Sequence, residues 1–69
     1  MKPTQKRVIK NIEALMIAKT LTIGQLSREV GIDTSNLSKM LRGERQINLD
    51  HLGELARGLD VDVQVLLKP

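Results

Sequence analysis

The chain has 69 residues with no cysteine and no aromatic residue, so its core must come from Leu, Ile, Val, Met and Ala without disulfides or thiolate metal ligands. The lack of Phe, Tyr and Trp also removes the stacking platforms that hold single-stranded nucleic acids. The formal charge of +3 is uneven: residues 1–45 hold nine basic and four acidic residues, a net +5, and the remainder two basic and four acidic, a net −2. An anionic partner is expected to meet the first two-thirds of the chain. No stretch approaches the roughly 20 apolar residues of a membrane span, and Met1-Lys2-Pro3-Thr4-Gln5-Lys6-Arg7 lacks a signal-peptide core, so a cytoplasmic location and no membrane partner are expected.

From Thr4 to Lys19, apolar residues recur three and four apart at Val8, Ile9, Ile12, Leu15, Met16 and Ile17, which predicts an amphipathic helix with that set as its buried stripe. Pro3 suits the start of this helix, where its missing amide is no loss. Thr22-Ile23-Gly24-Gln25 has the form of a capping box. A second helix is expected to start there, bury Ile23, Leu26 and Val30, and end at Gly31.

Asp33 is the natural N-cap of a third helix, Thr34 to Leu41, because its carboxylate accepts from free first-turn amides and suits the positive end of the dipole. Only Leu37, Met40 and Leu41 are apolar there; Thr34, Ser35, Asn36, Ser38 and Lys39 make an outer face of hydrogen-bonding groups. Arg42-Gly43-Glu44-Arg45-Gln46 reads as a loop. Asn48 then caps a fourth helix that buries Leu49, Leu52, Leu55, Ala56 and Leu59 and ends near Gly58. Asp60 or Asp62 caps a short fifth helix carrying Val63, Val65, Leu66 and Leu67. Val61 to Val65 also alternates like a strand, but a lone strand has no partner, so helix is preferred. No repeat or linker interrupts the pattern, and residues 1–69 are read as a single all-α domain of five helices.

Two short helices joined through Gly31-Ile32-Asp33 have the layout of a helix-turn-helix, here Thr22 to Arg42, whose second helix enters the major groove of DNA. Ser27 is small where the two helices must approach closely, Gly31 permits the sharp turn, and Ile32 and Leu37 lock the unit from inside. At these residues the chain resembles the phage repressor and Cro, or XRE, family of helix-turn-helix proteins. The resemblance runs through Leu21-Thr22, Gln25-Leu26-Ser27, Val30-Gly31-Ile32, Leu37-Ser38, Arg42-Gly43, Leu52, Leu55-Ala56, Leu59, Val61 and Leu66-Leu67, nearly the whole chain.

The resemblance implies a lambda-repressor-like fold, a pseudo-palindromic double-stranded DNA operator, a homodimer, and base reading by the third helix. Carried over by position, the base-reading residues are Asp33, Thr34, Ser35 and Lys39, with Asn36 and Ser38 on or beside the same surface. Lys39 can donate to guanine, Thr34 and Ser35 donate or accept, and a carboxylate takes the cytosine amine. Asp33 needs only its local backbone to serve as a cap, which weighs against a base-reading role. Many relatives carry Gln at the position of Ile23, where it holds a phosphate. With Ile23 there, phosphate anchoring falls to helix-start amides, Thr22 and Gln25. Relatives also often pair Arg with Glu at the positions of Met16 and Leu41, an ion pair that an apolar pair can replace at little cost.

Arg42 and Arg45 flank the loop where phosphates should pass. Lys6, Arg7 and Lys10 form either a backbone-reaching arm or a solvated face. His51 lies in the first turn of the fourth helix with no Cys or carboxylate cluster at ligand spacing, so a surface or cap role is expected. Met1 is read as the start residue and Met16 and Met40 as core filler. Val63, Val65, Leu66 and Leu67 either complete the core or form a two-fold dimer interface, and the two are compatible.

The sequence-based reading is therefore a dimeric transcriptional regulator, a phage-type repressor that blocks promoter access. The alternative is an antitoxin-like interaction module that binds a toxin partner and its own promoter. No cofactor or metal is expected, and neither is enzymatic activity: one His, no Cys and no Gly-rich turn assemble no nucleophile-base pair or phosphate loop.

Overall fold

Apolar stripes at helical spacing are buried only if the helices carrying them fold back on one another. In the computed structural model, which describes residues 2–69, five helices do so: α1 Pro3–Ala18, α2 Ile23–Val30, α3 Thr34–Leu41, α4 Leu49–Gly58 and α5 Val63–Leu67. Met1 lies outside the described residues. The alternating segment after α4 is helical from Val63, and Asp62 rather than Asp60 is its cap, accepting from the Gln64 amide at 3.0 Å.

Val8, Ile12, Leu26, Val30, Leu37, Leu52, Leu55, Ala56, Leu59 and Leu66 form one core to which every helix contributes. Two residues expected in the core are exposed instead. Ile17 is 81% exposed, because it follows Val8 by nine residues, about two and a half turns, and so points away from the stripe. Leu49 is 85% exposed: it opens α4, and helical side chains lean toward the N-terminus, past the end of the core. Met40 is buried and Met16 packs half-buried against the core.

Three helices end in Schellman closures. After α1, Thr20 donates to Ile17 O and Leu21 to Met16 O; after α3, Gly43 to Met40 O and Glu44 to Lys39 O; after α4, Asp60 to Arg57 O and Val61 to Ala56 O. Such a closure needs one left-handed residue. Gly43 supplies it freely at φ 77°, whereas Thr20 at φ 56° and Asp60 at φ 58° adopt it against steric resistance.

Two contacts fix how the helix pair α2–α3 is presented. Gly58 lies so close to α2 that a Cβ there would meet Val30 Cγ1 at 2.3 Å, and Arg57 donates to the Glu29 carbonyl at 3.0 Å while pairing with Glu54 at 2.8 Å. Glu54 raises the Arg57 pKa through that hydrogen bond first and its charge second. At the far side Asn11 of α1 donates to the carbonyls of Leu66 and Lys68 at 2.9 and 2.8 Å, which satisfies the otherwise free end of α5.

Candidate nucleic-acid interface

The turn between α2 and α3 is built by its own residues. Gly31 adopts φ 70°, and a Cβ there would meet nothing within 4 Å, so glycine is favoured there by conformation and not by space. Ser27 Oγ donates to the Ile32 carbonyl across the turn, which gives the small residue a second duty beside close approach. Leu26, Val30 and Leu37 are buried beneath, and Ile23 and Ile32 pack at the margin of the core.

The capping box at α2 is complete, with the Gln25 amide donating to Thr22 Oγ1 at 3.1 Å and the Thr22 amide donating to Gln25 Oε1 at 2.8 Å. Both side chains serve as acceptors in this arrangement. The Thr22 hydroxyl proton and the Gln25 Nε2 protons therefore remain available to an oxyanion at the helix start.

On α3, Thr34, Ser35 and Lys39 are exposed and Asn36 and Ser38 are half-buried, so the five polar residues share the side of the helix turned from the core. Lys39 has no carboxylate partner among the described residues. The flanking residues are more engaged. Asp33 accepts from the Asn36 amide at 2.8 Å and from Asn36 Nδ2 at 2.7 Å, so both of its oxygens are occupied by capping. Arg45 Nη1 donates to Asn36 Oδ1 at 2.9 Å.

Arg42 Nη1 donates to Ser38 Oγ, and its Nε donates to Glu44 at 2.7 Å. The Glu44 carboxylate raises the Arg42 pKa, by hydrogen bonding first and charge second, and Arg42 in turn holds the Glu44 carboxyl below its ordinary value. Both groups are exposed, so the pair contributes little to stability but partly neutralises a cation on this face.

Among the remaining expected site residues, Lys6, Arg7 and Lys10 are exposed along α1. Gln5 ties the first turn of that helix to the α3–α4 loop, with Nε2 donating to the Arg45 carbonyl at 3.2 Å. His51 is half-buried; its amide is capped by Asn48 at 2.7 Å and its Nδ1 is enclosed without a partner. Val63 and Val65 are half-buried, Leu67 is 38% exposed, and Leu66 is fully enclosed, so Leu66 belongs to the core and offers no surface to a second chain. Gln5 and Glu44 were not expected to engage residues of this face. The Arg42–Glu44 spacing was a usable signal, whereas Gln5 and Arg45 are 40 positions apart and left none.

A short capped helix, a left-handed glycine turn and a polar-faced second helix define a helix-turn-helix DNA-binding domain. The helix-turn-helix family model matches residues 12–66, and the chain belongs to that family, of the XRE type, whose members are DNA-binding transcription regulators. Comparison with curated proteins and with solved structures gave no match. Among the described residues, no helix is long and apolar enough to cross a membrane, and no group of three or more potential ligands is placed to hold a metal ion.

Proposed function

We propose that the chain forms one unit that recognises a specific, pseudo-palindromic double-stranded operator as a homodimer and represses transcription by occupying promoter DNA in the bacterial cytoplasm or nucleoid. The observation that carries the reading is the outer face of α3, where Thr34, Ser35 and Lys39 stand exposed on a helix whose opposite side is locked into the core. Such groups can reach base edges, while Thr22, Gln25, Arg42 and Arg45 bracket them with phosphate-binding donors.

Dimerisation is supported by exposed Leu49 and Leu67, which flank a recess of about 270 Å³ that Val8, Ile47 and Leu52 also line. A second copy seated there hides the largest apolar side chains at that end of the molecule. The described residues measure 26 × 22 × 20 Å, small enough for two contacting copies to place their α3 helices in major grooves about one turn apart.

The test is a binding titration against a random DNA library at two salt concentrations, with wild type and Lys39→Ala in parallel. Enrichment of a palindromic site, weaker binding at higher salt and relaxed preference in Lys39→Ala are expected. If no site enriches and binding is sequence-blind, the reading fails and the antitoxin-like module takes its place.

A further inference from the structure

A primary amide reads DNA well only when its oxygen and nitrogen are correctly oriented, and these two ends are nearly interchangeable in shape. At Asn36 the neighbours decide the matter chemically. The Asp33 carboxylate can only accept, and it takes Asn36 Nδ2 at 2.7 Å; the Arg45 guanidinium can only donate, and it reaches Asn36 Oδ1 at 2.9 Å. A flipped amide loses both bonds. The second Asp33 oxygen accepts the Asn36 backbone amide at 2.8 Å, and Arg45 is itself steadied through its carbonyl by Gln5 at 3.2 Å.

An amide side chain has two N–H donors and two acceptor lone pairs, and Asp33 and Arg45 each use one. One donor and one acceptor remain. In the major groove adenine presents N7 as an acceptor and N6 as a donor, the complement of that pair; guanine presents two acceptors, cytosine a donor, and thymine an acceptor with a methyl group. Asn36 is half-buried at the edge of the α3 face, beside exposed Ser35 and Lys39, so it borders the surface that the DNA-binding reading turns to the groove.

We propose that Asn36 is an adenine-reading residue and that Asp33 and Arg45 are the positioning residues that aim it. The inference rests on the DNA-binding reading above. It also gives Arg45 a double role: one guanidinium nitrogen holds Asn36 while the other donors stay available to a phosphate. Backbone contact and base readout are then coupled through one side chain, and the locked amide loses little rotamer freedom on binding.

The experiment is selection from a random library with wild type, Asn36→Ala, Arg45→Ala and Arg45→Lys, followed by titration of the selected duplex carrying adenine analogues. Wild type is expected to select an adenine at one position of each half-site, and Asn36→Ala to lose that preference by about 5- to 150-fold with other positions unchanged. Replacing that adenine with 7-deazaadenine, which lacks N7, or with purine, which lacks the N6 amine, should weaken wild type and leave Asn36→Ala unaffected. Arg45→Ala should relax the same position and Arg45→Lys, still a donor, should restore it.

A preserved adenine preference in Asn36→Ala, or a uniform loss of affinity across sequences, overturns the inference while the selected site upholds the DNA-binding reading. The analogue titration on wild type needs no variant to fold, and insensitivity at every selected adenine also overturns it. Failure of wild type to select any site defeats both.

Discussion

Gly58→Ala tests whether the closeness of α4 to α2 sets how the helix-turn-helix is held. Gly58 is the last residue of α4 and helical, so alanine there should by propensity alone stabilise by up to about 1 kcal/mol. Opposing this, the new Cβ meets Val30 Cγ1 at 2.3 Å and approaches Glu29 Cβ at 3.5 Å. Val30 is 3% exposed and β-branched, so its methyl cannot swing aside without disturbing the core. Overpacking of this kind costs about 1–3 kcal/mol, which outweighs the propensity gain. Set against the full propensity gain, the expected net loss is about 0–2 kcal/mol, or up to about 16 °C in Tm for a domain of this size. Thermal denaturation of wild type, Gly58→Ala, Val30→Ala and the double variant separates the effects. In the Val30→Ala background the clash is gone, so Gly58→Ala should become neutral or stabilising. Gly58→Ala raising Tm in the wild-type background, or additive effects in the double variant, would refute the reasoning.

Three further predictions concern the interface and its support. Glu44→Gln releases Arg42 from its carboxylate partner and should strengthen DNA binding, steepening the dependence of log affinity on log salt by up to about 0.9; an unchanged slope in anisotropy titrations rules out a phosphate role for Arg42. Because the Glu44 carboxyl is held below its ordinary value, its small contribution to folding is present above the usual carboxylate range and lost as pH falls through the lowered value. Thr20→Gly removes a β-branched side chain from left-handed backbone at the close of α1 and should stabilise by about 0.5–1 kcal/mol, read as a higher midpoint in urea; no rise shows that φ 56° carries no strain there.

The helices and their caps were legible because the signals are local. Thr22 with Gln25, Asp33 with the first turn of α3, and Asn48 with His51 are each separated by three residues, and the backbone geometry of a helix start leaves little freedom in how such pairs meet. Gly31 at the turn was legible for the same reason. Periodicity located the core but blurred at its edges. Ile17 continues an apolar run yet faces away, and Leu49 has a core-like spacing yet projects past the last layer of packing.

The site divided along the same line. Which residues form the outer face of α3 follows from the rotation of a helix, and sequence alone determined that Thr34, Ser35, Asn36, Ser38 and Lys39 share it. How those groups are engaged was decided by tertiary structure. Asn36 is oriented by Arg45 from the following loop, and Arg45 is steadied by Gln5 from the first helix. Gly58 reads in sequence as a helix end, while its close approach to Val30 exists only once α4 lies against α2. Local hydrogen bonds and helical phase are properties of neighbouring residues, so the chain encodes them directly. Contacts between distant residues arise only when the shared burial of the five apolar stripes brings their helices together.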